Sequence, residues 1–558
     1  MKILKQNNKS VFRKLLCTAF VFCIAILISC DKGFVEMNTN PWTMNEPDFL
    51  AVWTNVVYST RGTGDNGTQY PRDKTAGAIV QWWSTLNLRQ WVGVAYSHHR
   101  PDYYGGFWST AYGGELRDCT ELIHMTKFDP EWSNLHNICR IWRVFQLHRA
   151  TDLYGDVPYS EAAMVNQTGV TKPKFDRQQE IYYDMLKELE EAAAALVDND
   201  DSKVDLGATD LVYRGDILKW KKFAYSMMLR LGMRMTKVEP QTAETWVRKA
   251  ILGGVMQSNA DAAYFRHAAD PSSARNQQTD RFDGVEVVPR GQQGKGYGKV
   301  AKTFVDELVS NYDPRCPFYI TMWQGNRSGV SLADRELYSR INDQKGLPTG
   351  YDEQTIKLLP GWEDFTAPDS YVGISEPNLN TIGHRGTPTF FVRYAQIELL
   401  LAEAAIRGWG APLSAQEHYE RGVRGSMDPS YTSLFPGNYV TPESDIVAYL
   451  NGTGGDGTQG RPWDDLASFD RKMELIHTQF WIASYLDGLE AFANWRRTEY
   501  PKLTAPNYPG NYTGGTMPRR VPYNDTEISR NEDNWKQAIS NQGWTGDRWT
   551  ERMWWDKQ

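Results

Sequence analysis

Arg149-Ala-Thr-Asp-Leu-Tyr-Gly-Asp-Val-Pro-Tyr-Ser-Glu161 is the stretch from which the fold can be read. Gly155 and Pro158 cannot continue a helix, so the segment reads as a helix exit followed by a turn, with aspartates available to bond to backbone amides. Its three acids, Asp152, Asp156 and Glu161, could also be arranged as a glycosidase pair. Turn chemistry accounts for the segment without a catalytic role, and none is assigned to it.

On either side the hydrophobic period is helical. A helix over 134–153 leads into the turn, and the clearest one follows at 178–197, where Ile181, Met185, Leu189, Ala192 and Leu196 form one apolar stripe. Asp176 is placed to cap it, with Gln179 as capping-box partner. In 216–235, Asp216 caps and Ile217, Trp220, Ala224, Met227 and Leu231 form the stripe. Arg230 and Arg234 there complement the dipole at the helix end.

Residues 391–407 repeat the theme with Tyr394, Ile397, Leu401 and Ala404, stopped by Gly408. Glu398 beside that stripe is expected to pair with an arginine, since an unpaired buried charge is costly. Residues 466–486 carry Phe469, Met473, Ile476, Phe480 and Ala483, and further helices are predicted at 243–253, 297–311, 414–427 and 532–541. The pattern is a mainly α fold of paired amphipathic helices, with no strict repeat consensus of about 34 residues. Between them, 84–115, 258–296, 312–390, 428–464 and 501–530 are rich in Gly, Pro, Asn and Asp. They also hold many aromatics, which disordered segments lack, so they read as ordered loops on one side of a helical scaffold.

The N-terminus reads as an address. Lys2, Lys5, Lys9, Arg13 and Lys14 precede an apolar run from Leu15 to Ile28, which ends in Leu27-Ile28-Ser29-Cys30. The run is shorter than the roughly 20 residues of a membrane-spanning helix and has the make-up of a secretory signal. Its ending resembles a bacterial lipobox, which implies removal of 1–29, acylation of Cys30, a tether over 30–48 and one domain over 49–558. A plain signal peptide or a signal anchor is the alternative. Taking away the five basic residues of 1–29, from totals of 61 Lys+Arg and 68 Asp+Glu, leaves a net charge of −12. That balance argues against a nucleic-acid partner and against electrostatic attachment to anionic lipid.

Other motifs stay silent. Gly291 to Lys299 is glycine-rich but fits neither dinucleotide nor P-loop spacing. Asn451 to Gly460 offers a single acid, too little for a calcium loop. His98 and His99 are adjacent, and neighbours on a strand face opposite ways. No HExxH or GxSxG occurs, so no metal, cofactor or nucleophilic site is predicted. Beyond Cys30, only Cys119, Cys139 and Cys316 remain, enough for one disulfide.

Taken together these segments resemble the SusD/RagB family of outer-membrane nutrient-binding lipoproteins. The resemblance begins at the lipobox and at Phe34 to Pro41, and is strongest at Arg149 to Glu161. It continues through Leu218 to Ala224, Leu229 to Arg234, Arg393 to Glu398, Leu401 to Ala404, Trp495 to Thr498 and Pro518 to Tyr523. It implies TPR-like helix pairs carrying long irregular loops in a single SusD-like domain. It also implies a non-enzymatic surface protein that captures oligosaccharide, or in some members peptide, and passes it to a SusC-like TonB-dependent outer-membrane barrel. A tethered glycoside hydrolase is the alternative of a different class.

The family's ligand site varies, so binding residues do not transfer by motif. The family's site regions correspond here to 84–108 and 258–390. The chain holds 21 Trp, 29 Tyr and 21 Phe, and a flat ring covers a sugar's C–H face while polar groups meet its hydroxyls. Trp91, Tyr96, Trp323 and Trp362 are the candidate platforms, with Asn326 and Arg327 as polar partners. Of Trp82 and Trp83, at least one is expected in the core.

Overall fold

Helices dominate the computed structural model, which describes residues 48–61, 75–86, 88, 92–96, 105–269, 275–276, 279, 299–323, 337–365 and 373–557. The chain divides into two compact units, Met1–Val52 and Trp53–Gln558. Cys30 and the rest of the N-terminal address lie outside the described residues. Among the described residues no helix is long and apolar enough to cross a membrane.

The longer helices are α1 (Phe49–Thr60), α2 (Leu116–Thr126), α3 (Ser133–Tyr154), α4 (Gln178–Ala195), α5 (Ile217–Arg234), α6 (Pro240–Gly253) and α7 (Lys302–Ser310). They continue as α8 (Tyr394–Ile406), α9 (Ala415–Arg424), α10 (Glu443–Asn451), α11 (Phe469–Ala483), α12 (Gly488–Thr498) and α13 (Glu532–Asn541). Sequence neighbours pack as pairs, α2 with α3, α5 with α6, and α8 with α9. Contacts of α3 with α4, α4 with α5, α5 with α8, and α8 with α11 join the pairs into a continuous TPR-like scaffold. Each apolar stripe finds a cover only on its neighbour, which is why the helices come in series.

Aromatic side chains fill the space between pairs. Trp53, Trp142 and Trp220 meet edge to face, with ring centroids 5.8–5.9 Å apart. Such contacts add to the burial of three large apolar surfaces. A second cluster gathers Phe304, Trp481 and Tyr485 beneath Trp82. Trp82 and Trp83 are both fully buried. Cys119, Cys139 and Cys316 are buried free thiols, and no disulfide forms among them.

Strands are few and short: β1 (Trp83–Ser84), β2 (Val157–Pro158), β3 (Phe175–Asp176), β4 (Ala263–Phe265), β5 (Lys299–Val300), β6 (Ile320–Trp323), β7 (Leu337–Tyr338), β8 (Ser375–Pro377) and β9 (Thr389–Val392). They pair antiparallel, with β6 between β7 and β8, and brace the loops rather than form a core.

Two local expectations change. Asp216 caps α5, accepting the Lys219 amide at 3.0 Å. Asp176 does not cap α4. Its carboxylate accepts the amides of Tyr159 and Ser160, at 3.1 and 2.7 Å, and so holds the turn after Pro158. The free amide of Gln178 is met instead by Asp156, at 2.9 Å. Glu398 likewise takes His418, at 2.6 Å, and not an arginine.

Candidate functional site

Three loop segments converge on one face, and β1 is where they start. β1 pairs with β5 (Trp83 opposite Val300), and Leu347 bridges Ala301. The Ser84 hydroxyl donates to the Pro348 carbonyl at 2.7 Å, which fixes the start of the second segment, 344–365. Beneath that segment, Leu86, Leu347, Ile356, Trp362 and Ile374 form a small apolar core of their own, with Tyr351, Leu359 and Phe365 packed on its edge.

The third segment, 501–517, closes against both. A Cβ on Gly350 (φ +86°) would stand 2.2 Å from Pro506 Cβ, so only glycine permits this approach. Tyr508 donates its hydroxyl to Asp352 at 2.8 Å. The Gln81 side chain donates to the Thr504 carbonyl and accepts from Thr303, both at 2.6 Å. The Tyr512 amide donates to the Tyr96 carbonyl, also at 2.6 Å. Desolvation raises the Asp352 pKa, but hydrogen bonds from Thr355 and Tyr508 outweigh it and hold the group below the usual carboxylate value. The same bond raises the Tyr508 phenol.

The resulting face carries rings that still reach solvent. Tyr512 is 52% exposed, and Tyr351, Phe365 and Tyr508 are half-buried. Such rings, with Asp352 beside Tyr508, suit a ligand with an apolar face and a hydroxyl rim.

The sequence-predicted platforms fare differently. Tyr96 is 2% exposed, its hydroxyl turned to Met517 Sδ at 3.4 Å. Trp362 is 8% exposed, set in the loop core with Lys345 Nζ 4.4 Å from its ring centroid. Neither ring is open as a platform: each large apolar surface is spent on fastening its loop. Trp91, Asn326 and Arg327 lie outside the described residues, as does the side chain of Trp323, whose backbone pairs with Leu337 at the end of β6. Tyr508 and Tyr512 had one sequence signal: two aromatics around Pro509-Gly510 within a loop segment.

The acids of the opening motif are structural. Asp152 is buried, accepting from Tyr182, from Trp555 Nε1 at 3.1 Å and from Arg234 at 3.4 Å. Asp156, also buried, holds α4, and burial pushes its pKa up to about 7. Asp152, His148 and Glu490 bring ligand-type atoms within 4.8 Å of one another. Arg234 already sits 2.8 Å from Glu490, and Arg230 stands 3.6 Å from it. Those guanidinium groups supply the positive charge a cation would bring, so the residues fit an ion-pair cluster better than a metal centre. Burial, then Arg230, drives the His148 pKa well down.

Comparison with known proteins agrees with this architecture. A family model described as "Starch-binding associating with outer membrane", SusD-like, matches residues 41–524. A solved chitin-binding protein is 30% identical with a TM-score of 0.73, the match covering 92% of this chain and 100% of that one. A SusD homologue from Bacteroides uniformis (24% identity, TM-score 0.72) is covered in full by 92% of this chain. A chitin-binding SusD homologue from Flavobacterium johnsoniae (23%, TM-score 0.71) matches over 91% of this chain and 99% of its own. No curated protein matches. With the family model spanning most of its length, the chain belongs to the SusD-like family.

Proposed function

We propose that this protein is a cell-surface lipoprotein, anchored through Cys30, that captures oligosaccharide on the face built from 81–86, 93–96, 344–365 and 501–517. It then delivers the glycan to a SusC-like TonB-dependent outer-membrane transporter. It binds and does not cleave. The observation that carries the reading is the set of solvent-reaching rings: Tyr351 and Phe365 packed on the small loop core, and Tyr508 and Tyr512 on the segment bonded to Asp352 and to the Tyr96 carbonyl. A preformed platform gives up little conformational entropy when a sugar stacks on it. The chitin-binding name of the 30% identical relative supports a glycan ligand. Trp323, at the end of β6, joins the platform set in this reading, with Asn326 and Arg327 beside it.

The test is a binding screen on the full chain. Intrinsic Trp and Tyr fluorescence is followed against chitin, starch and other oligosaccharides and against peptides, and the same mixtures are assayed for new reducing ends. Saturable binding of a glycan without new reducing ends supports capture. New reducing ends overturn the non-enzymatic reading, and binding of peptides alone overturns the glycan.

A further inference from the structure

Where α12 ends, the backbone turns through Glu499 in a left-handed conformation (φ +61°), one that side chains other than glycine's seldom adopt. The turn opens a cleft of about 370 Å3, the size of a small sugar site, between 499–503, 516–519 and 550–552. Three of its nine lining residues are cationic, Lys502, Arg519 and Arg552, against the single carboxylate of Glu499. Asp556, buried behind the cleft, accepts from Arg519 Nε at 2.7 Å and Arg552 Nη1 at 2.9 Å. Three cations thus face two carboxylates.

Glu499 engages the arginines loosely. Its Oε1 lies 3.4 Å from Arg519 Nη1 and 3.7 Å from Arg552 Nη2, and its side chain keeps 41% of its exposure. Arg519, by contrast, is 7% exposed and fixed by Asp556 and by the Arg496 carbonyl. Asp556 takes the Nε and Nη2 side of Arg519, which leaves Nη1, together with Arg552 Nη2 and Lys502, to meet an oxyanion in the place where the Glu499 carboxylate now stands. The cleft connects to the ring-bearing face through Tyr96, whose hydroxyl donates to Met517 in the cleft lining and whose carbonyl accepts the amide of Tyr512.

We propose that this cleft is a subsite for an anionic substituent on the bound glycan, the carboxylate of a uronic acid or a sulfate ester. Glu499 occupies it in the ligand-free chain and yields to the ligand. The proposal rests on the glycan-binding reading above and deepens it, by naming acidic oligosaccharides as the preferred class.

The experiment is calorimetric titration of the full chain with three matched probes: a glucuronate-bearing oligosaccharide, its carboxyl-reduced neutral form, and a sulfated neutral form. The acidic probe should bind about tenfold tighter than the neutral one, a difference of ~1.4 kcal/mol, with the preference shrinking as salt rises. Lys502→Ala and Arg552→Ala should each lower acidic affinity several-fold, and Arg552→Ala should leave neutral affinity unchanged. Glu499→Gln should raise acidic affinity, an effect that a merely structural glutamate would not produce. Preference for the carboxylate or the sulfate probe supports the subsite and identifies the anion. Equal affinity for all three probes overturns the subsite while leaving glycan capture standing. Failure of every probe to bind counts against the glycan reading itself, and the subsite falls with it.

Discussion

Arg497→Met should cost this protein about 3–5 kcal/mol, the usual toll for stranding one partner of a buried ion pair. Arg497 holds Glu403 with two parallel bonds, Nη1 to Oε1 at 2.8 Å and Nη2 to Oε2 at 2.7 Å, and both side chains are sealed from water. His477 Nε2 stands 2.9 Å from the same carboxylate, and Arg407 Nε donates to it at 2.8 Å. Burial raises the Glu403 pKa, yet Arg497, then His477 and Arg407, outweigh it and hold the group well below its ordinary value. Burial lowers His477 to about 4 and Arg497 adds to that, so losing Arg497 lets His477 take up a proton beside Glu403 more readily and offset part of the loss. Arg407 remains, which puts the expected loss near the lower end, ~3 kcal/mol. Against a total stability of roughly 5–15 kcal/mol that is a large share.

Urea unfolding followed by Trp fluorescence measures the loss at pH 7.5. The double variant Glu403→Leu/Arg497→Met removes both charges together and should lose less than Arg497→Met alone. The pH slope gives a second readout. In the native chain the Glu403 pKa is depressed, so its contribution is present above the unfolded value of about 4.5 and is lost as pH falls below it. With Arg497 gone, the Glu403 pKa rises, and acidification should recover stability. A loss under ~1 kcal/mol for Arg497→Met, or a double variant worse than the single one, would refute the reasoning.

Other expectations follow from single sites. Gly155→Ala places a Cβ 2.1 Å from Gln542 Oε1 and 2.9 Å from Trp544 at φ +90°; the backbone strain and overpacking should cost on the order of 2–4 kcal/mol in the same unfolding assay. Asp156 has a folded pKa of about 7, above its unfolded value near 3.9. The native state therefore holds the extra proton, and this group's contribution to stability falls as pH rises between those values. Asp156→Asn should remove that slope, so melting temperatures at pH 5 and pH 8 should show a variant that gains relative to the parent at pH 8; an unchanged difference would count against it. Tyr512→Ala should weaken glycan binding about tenfold, the loss of one stacked ring, with no shift in melting temperature; unchanged affinity removes Tyr512 from the platform.

How much of this was legible in the chain depends on the range of the interactions involved. The stripe Ile181, Met185 and Leu189, the Asp216 cap and the turn at Gly155 rest on contacts within about four positions, and all three stand in the structure as read. Partners reached across the fold were not legible in the same way. Asp176 had a helix start beside it and took the amides of Tyr159 and Ser160 instead. Glu398 took His418, while Glu403, one turn and a residue further along α8, took the arginine. The aromatics show the same division. Composition supplied enough rings for both core and surface, but Tyr96 and Trp362 went to fastening loops. Tyr508, far along the chain, came to lie beside Asp352, and Tyr512 came to face solvent. Helix and turn follow from the sequence alone because neighbouring residues decide them, and a cap follows when no distant amide competes for its carboxylate, as at Asp216 but not at Asp176. Which carboxylate meets which cation, and which ring stays in water, is decided only when segments from 20 to 421 positions apart compete for the same buried space.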